Sequence, residues 1–266
     1  MTRPGRLPDF FLLGAPKCGT SALHAALASH PALYLSEPKE PKYFLTADAP
    51  PPTSGGGPGD VATWAEHVWR RADYEGLFSS APADALCGES TVFYLYDAAA
   101  QRRIRELLPR ARLIAVLRDP VERAHSNWAH LRGAGLEPEA DFLCALTRET
   151  GRAAAGWAHF WHYVAQSRYG EQLARLDGLY PRDQILLLRY RELRDAPAAT
   201  LDRVCRFLGV AEGTVTDVPR HNVRPDVIGR AGGPTAAERA AALPRFVDDV
   251  ARVEALTGWD LAEWRS

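Results

Sequence analysis

Apolar residues along this chain gather in short unbroken runs, and between the runs they recur at helical spacing. Phe10-Phe-Leu-Leu13, Leu113-Ile-Ala-Val-Leu117 and Ile185-Leu-Leu-Leu188 show no alternation of apolar with polar positions, the pattern of strands covered on both faces in a parallel sheet. Behind the first run, Leu23, Ala26 and Leu27 share a helical face, and the helix they predict stops near His30-Pro31, because proline disfavours helix in the residue before it. Ile104, Leu107 and Leu108 predict a second helix that ends before Pro109 and feeds the middle strand. The next helix is marked at its start by Asp119 as N-cap, Pro120 at N1 and Glu122 at N3. Beyond the third strand, Pro197 opens a helix whose apolar face is Leu201, Val204, Cys205 and Leu208, closed by Gly209. Strand alternating with helix predicts an α/β fold with a central, mostly parallel sheet flanked by helices.

No internal repeat or clear boundary divides the chain, so residues 1–266 are expected to form a single domain. The stretch Ala49–Gly59, rich in proline and glycine, is too low in complexity for regular structure and predicts a flexible surface loop at 49–60. Trp157, His159, Phe160, Trp161, His162 and Tyr163 form an aromatic group that serves first as core, with an acceptor cleft as the alternative. Residues 234–264 read as helical, with Leu243, Phe246, Val250, Val253 and Leu256 spaced for packing.

Composition narrows the function classes. At 266 residues and 46% apolar, the chain suits a packed globular core. Its 32 basic and 33 acidic residues leave no excess for neutralising nucleic-acid phosphates, so no nucleic-acid partner is expected and any anion site is local. Cys18, Cys87, Cys144 and Cys205 form no CxxC pair and no zinc spacing, which predicts reduced thiols in a cytoplasmic setting. The N-terminus offers no signal-peptide core and no apolar run approaches a membrane span, so a soluble protein with no membrane partner is expected. Heavy use of Ala, Arg and Pro with a single Met fits a GC-rich bacterial source.

The chemistry concentrates in Gly14-Ala-Pro-Lys17-Cys18-Gly19-Thr20-Ser21, between the first strand and its helix. Strand ends and a helix N-terminus meet there, so free backbone N–H groups form a P-loop-like anion cradle. Gly19 permits close approach of an anion, Thr20 and Ser21 add hydroxyl donors, and Lys17 adds a point charge. A Walker A motif places lysine directly after its last glycine and then a hydroxyl residue that holds Mg²⁺, whereas here Thr20 follows Gly19 and the lysine precedes it.

The displaced lysine of Pro16-Lys17-Cys18-Gly19-Thr20-Ser21 resembles the 5'-phosphosulfate loop of the sulfotransferases that use 3'-phosphoadenosine 5'-phosphosulfate (PAPS). Leu117-Arg118-Asp-Pro-Val-Glu-Arg-Ala-His-Ser126 also resembles that family, whose strand-end arginine and following helical serine bind the donor's 3'-phosphate. Ser126 lies about two helical turns, roughly 10 Å, past the strand end, within what a long arginine can share. The alternative is an Arg–Glu surface pair with a helical serine. Gly88-Glu-Ser-Thr-x-x-Tyr94-Leu, Leu187-Leu-Arg-Tyr190-Arg-Glu-Leu193, Phe207-Leu-Gly209, His221-Asn-Val-Arg224-Pro and Leu256-Thr-Gly-Trp259-Asp-Leu extend the resemblance over nearly the whole chain.

Ser36-Glu-Pro-Lys-Glu40-Pro-Lys42-Tyr-Phe44 resembles the acidic loop of the heparan sulfate sulfotransferase branch, in which the glutamate ahead of the Lys-aromatic-aromatic element is the general base. The resemblance therefore implies Glu40 as base and Lys17 as the catalytic lysine. Donor binding by Lys17, Cys18, Gly19, Thr20, Ser21, Arg118, Ser126 and, through a looser match, Arg224 is implied in the same way. Glu37 is the rival carboxylate, and both glutamates could instead pair with Lys39 and Lys42 on a solvated loop. Histidine serves as base elsewhere in the superfamily, which keeps His125, His159 and His162 open, whereas His24 and His30 are assigned to helix packing and capping. The heparan sulfate enzymes carry a second lysine where this chain has Ser90, which puts more of the leaving-group charge on Lys17.

The resemblance implies transfer of a sulfuryl group from PAPS, with PAP as product and no metal, to a hydroxyl of a small-molecule, glycan or glycosylated natural-product acceptor. The alternatives are a P-loop-type nucleotide kinase and a non-catalytic PAP-binding module.

Overall fold

The structure is a computed structural model that describes residues 5–218 and 233–266. Its elements begin with β1 (Phe10–Gly14), α1 (Thr20–Ala28), β2 (Leu33–Leu35), α2 (Tyr43–Thr46), α3 (Asp60–Ala65), α4 (Arg71–Gly76), β3 (Leu86–Glu89) and α5 (Ala98–Leu107). They continue through β4 (Arg112–Leu117), α6 (Pro120–Gly133), α7 (Phe142–Ala154), α8 (Tyr169–Asp177), β5 (Ile185–Arg189), α9 (Tyr190–Asp195) and α10 (Pro197–Leu208). The chain closes with α11 (Ala236–Ala242) and α12 (Val247–Thr257).

The five strands form one sheet in the order β2-β3-β1-β4-β5, with all four pairings parallel. This is the expected α/β fold. Every residue of β1 is buried, as is β4 from Leu113 to Leu117, which explains why both read as unbroken apolar runs. Two strands were not legible as such. β2 has only three residues, and β3 reads Leu-Cys-Gly-Glu, a glycine and a carboxylate where an apolar run would be sought. From β1 the chain runs outward to the β2 edge and returns through β3, then crosses to β4 and β5 on the other side. That reversal makes the C-terminal ends of β1 and β4 the switch point, where open α/β sheets bind ligands.

The chain clusters into two compact units: Met1–Pro51 with Glu66–Leu117 and Leu176–His221, which contains the whole sheet, and Pro52–Ala65 with Arg118–Arg175 and Asn222–Ser266. In the sheet unit, α1 buries Leu23, Ala26 and Leu27, and α10 ends on Gly209 in the left-handed conformation at φ 72°. In the second unit, the Asp119 carboxylate caps α6 by accepting from the Glu122 N–H at 2.9 Å, with Pro120 opening the helix, as the sequence predicts.

Residues 49–59 hold only bends and turns before α3 opens at Asp60. Asp60 is closed off from solvent and accepts from the Trp161 indole N–H at 2.7 Å and the Ala158 N–H at 2.9 Å. Trp161 and Tyr163 are likewise fully buried, so these members of the aromatic group are core. Beside them Glu137 takes a bidentate bond from Arg152 at 2.6 and 2.7 Å and a third from the Tyr163 hydroxyl at 2.6 Å. The Arg152 guanidinium lies 5.0 Å from the ring centroids of both Trp157 and Trp161. All four cysteines are free thiols. Among the described residues no helix is long and apolar enough to cross a membrane.

Candidate active site

The loop after β1 is shaped by its backbone. Ala15 donates to the Val116 carbonyl of β4 at 2.9 Å, which ties the loop's first residue to the neighbouring strand. Lys17 sits in the left-handed region at φ 67°, a conformation that costs a non-glycine residue roughly 1 kcal/mol and collects at functional sites. Gly19 is the N-cap of α1 at φ 80° and has no side chain with which to cover the helix's first N–H groups. A Cβ there would also lie 3.0 Å from the Tyr190 ring, so conformation and crowding both favour glycine. Thr20 is buried and Ser21 half-buried. The Cys18 thiol is fully buried, 3.6 Å from the Pro16 carbonyl, which leaves its backbone as the part that can meet a ligand.

Glu40 stands on a separate turn of the same unit, with its carboxylate 2.7 Å from the Lys39 ammonium. Lys42 reaches a carboxylate outside this loop. Its side chain is buried and its ammonium meets Glu66 at 2.6 Å. Of the pairings expected on this loop, the structure makes the one between Lys39 and Glu40 and gives Lys42 an additional partner in Glu66.

The Lys42 backbone, left-handed at φ 62°, donates to the Thr91 hydroxyl at 3.0 Å, and the Phe44 N–H donates to the Tyr94 hydroxyl at 3.1 Å. Both hydroxyls belong to the segment that follows β3, where Glu89 is wholly buried. The Glu89 carboxylate accepts from the Tyr74 hydroxyl at 2.6 Å, the Tyr94 hydroxyl at 3.4 Å and the Thr91 N–H at 3.2 Å. Burial pushes its carboxyl up to about 7. Sequence reasoning met Glu89 inside a motif but gave it no task. In sequence it is one carboxylate between Gly88 and Ser90, and nothing local marks it out.

Arg118 follows the last residue of β4 and bonds to the Glu122 carboxylate at 3.0 Å, while Ser126 is half-buried further along α6. Arg123, between them, is wholly buried and donates to the Ser167 hydroxyl at 2.6 Å and the Tyr163 carbonyl at 2.7 Å, an anchoring role. Arg224 lies outside the described residues, as does the rest of His221-Asn-Val-Arg224.

The histidines divide. His125 packs among Trp128 and Phe142, with ring centroids at 5.3 and 5.1 Å. His162 is buried and held down at about 4 by desolvation, with the neighbouring His159 adding to the effect. The His30 ring accepts from the Ala32 N–H at 3.1 Å and meets the Ala211 carbonyl at 3.0 Å through its other nitrogen, so it ties loops together rather than capping α1. His24 on α1 instead meets the Ser90 hydroxyl at 2.8 Å. Among the described residues, no three His, Cys, Asp or Glu side chains are gathered as metal ligands would be.

The chain has counterparts among known proteins. Residues 82–213 match the model of the sulfotransferase family. Over 213 residues the chain is 30% identical to bovine bifunctional heparan sulfate N-deacetylase/N-sulfotransferase 2, a match covering 77% of this chain and 22% of that protein. The human counterpart is also 30% identical, so the chain spans about a fifth of these relatives' length, 22% in each. A mouse sulfotransferase complexed with PAP shares the fold alone, at 13% identity and a TM-score of 0.57 over 96% of this chain and 90% of that one. A sulfotransferase from Alicyclobacillus acidocaldarius matches throughout: TM-score 0.85 and 31% identity over 98% of this chain and 100% of that one. With an identity of that size sustained over both chains, the chain belongs to the sulfotransferase family and is an enzyme of that kind.

Proposed function

We propose that this sulfotransferase takes its sulfuryl group from PAPS and passes it to a hydroxyl of a glycan, small-molecule or glycosylated natural-product acceptor. The observation that carries this reading is the loop after β1, where a left-handed Lys17 precedes an uncapped helix start. N–H groups that no side chain caps, together with an ammonium, favour an anion there without a metal-binding hydroxyl next to the lysine. The mouse sulfotransferase complexed with PAP adds support for the nucleotide.

In this scheme the Glu40 carboxylate accepts the acceptor's hydroxyl proton as the oxygen attacks sulfur. The bond from sulfur to the 5'-phosphate oxygen breaks as the new S–O bond forms. The electron pair it leaves stays on PAP, where Lys17 and the loop N–H groups stabilise the growing charge. A sulfuryl group carries less negative charge than a phosphoryl group, so an ammonium and backbone dipoles can serve where kinases use Mg²⁺. Arg118 and Ser126 would take the 3'-phosphate, with Arg118 exchanging Glu122 for it, and Arg224 would join the nucleotide from its own loop.

Calorimetry with PAP, and separately with ATP and Mg²⁺, tests the donor. PAP binding with no ATP binding is expected, and the reverse would favour a kinase. Transfer is then measured from ³⁵S-labelled PAPS to a panel of water, 4-nitrophenyl glucoside and de-N-sulfated heparin. The last presents the amino sugars that the names of the N-sulfotransferase relatives suggest. PAP binding without transfer to any member would leave a binding module.

A further inference from the structure

The backbone around Glu40 is held at points that all lead back to one carboxylate. Glu40 precedes Pro41, whose ring restricts its own φ and keeps the residue before it extended. The Pro41 carbonyl accepts from the Val68 N–H at 2.9 Å, and the next N–H, of Lys42, is fixed on the Thr91 hydroxyl at 3.0 Å. Phe44 N–H is fixed on the Tyr94 hydroxyl at 3.1 Å. Few soft dihedrals therefore separate the anchored turn from the Glu40 side chain.

The anchors are held in turn. The Tyr94 hydroxyl that accepts from Phe44 donates to Glu89, and the Thr91 that accepts from Lys42 gives its own N–H to the same carboxylate. Tyr74 supplies the third bond at 2.6 Å and stacks on Tyr43, the residue between the two anchors, with ring centroids 4.4 Å apart. Between Glu89 and Thr91, Ser90 meets His24 on α1, the helix that follows the donor loop. The end of β3 thus grips both the turn after Glu40 and the helix after Lys17.

We infer that Glu89 is a positioning residue for the Glu40 carboxylate, acting through Tyr94 and Thr91 on the backbone of Lys42 and Phe44. The inference rests on Glu40 being the base. A carboxylate that must meet an acceptor hydroxyl within hydrogen-bond reach gains from such a mount, because a displacement of about 1 Å can cost about 100-fold in rate.

The test is a double-mutant cycle on the full chain, with transfer from labelled PAPS to the same three-member panel as readout. Glu89→Ala and the gentler Tyr94→Phe are expected to lower kcat roughly 10- to 100-fold. They should leave the calorimetric Kd for PAP unchanged and have no further effect once Glu40→Ala is present. Glu89→Gln keeps an oxygen for the two phenols but sets an amide N–H against the Thr91 N–H, so its kcat should fall between wild type and Glu89→Ala. Equal losses in the wild-type and Glu40→Ala backgrounds, or a loss of PAP affinity in step with kcat, would overturn the inference. Should Glu89→Ala fail to fold, Tyr94→Phe decides alone. Full activity in Glu40→Ala by itself would remove the base and the positioning role with it, a result read separately from the Glu89 arm.

Discussion

Glu89, closed off from solvent at the end of β3, receives a 2.6 Å hydrogen bond from the hydroxyl of Tyr74. Burial lifts its carboxyl from the ordinary 4.5 to about 7, against hydrogen bonds from Thr91, Tyr74 and Tyr94 that pull it down. The folded chain therefore holds a proton that the unfolded chain releases between those two values. Its contribution to stability is fully present below about 4.5 and lost as pH rises through about 7. Wild type should lose on the order of 3 kcal/mol across that window relative to Glu89→Gln. Urea midpoints of both proteins at intervals of pH measure the difference, and parallel curves would mean that Glu89 titrates normally.

Lys17 separates stability from turnover. Lys17→Ala keeps a side chain in the left-handed conformation, so its melting temperature should match wild type while kcat falls by a factor of about 1,000. Lys17→Gly relieves the backbone and should gain about 1 kcal/mol of stability with the same loss of transfer. Thermal melts beside transfer assays check both, and wild-type turnover in either variant would refute the role of the ammonium.

Arg118 is held by Glu122 at 3.0 Å, which gives the proposed 3'-phosphate contact a two-sided test. Arg118→Ala should weaken PAP binding roughly 10- to 100-fold and leave adenosine 5'-phosphate, which lacks the 3' group, almost unaffected. Glu122→Ala removes this competing carboxylate and should tighten PAP two- to fivefold, by about the strength of an exposed ion pair. Calorimetry with the two nucleotides reads the ratio, and an equal loss for both in Arg118→Ala would place the arginine elsewhere.

Trp161→Phe removes the indole N–H from the buried Asp60 carboxylate and leaves that oxygen without its donor. A loss of about 1–3 kcal/mol in chemical denaturation is expected, with PAP affinity unchanged. A stable variant with weakened transfer to one member of the acceptor panel would instead mark the aromatic group as part of the acceptor cleft.

Much of this architecture is written locally. β1 and β4 are buried on both faces and β5, at the sheet edge, is largely buried, so all three appear as apolar runs, and the caps at Asp119 and Gly209 depend on residues within a turn of each other. The position of the donor loop is equally local, because it follows from a strand, a glycine and a helix in succession. What could not be read are relations across the chain. Lys42 meets Glu66, 24 residues on, and Thr91 receives the Lys42 N–H where β3 pairs with β2, the strand ahead of Lys42. Glu89 is unremarkable in sequence, and its chemistry arises from Tyr74 and Tyr94 arriving on either side.

The turn after Glu40 is gripped by main-chain N–H groups, at Lys42 and Phe44. Such a grip does not depend on which side chains occupy the exposed part of the loop. Exposed Glu37 and Pro38 can therefore be exchanged while the turn stays in place, whereas Lys39 is tied to Glu40 by its ion pair and cannot be changed without touching that carboxylate.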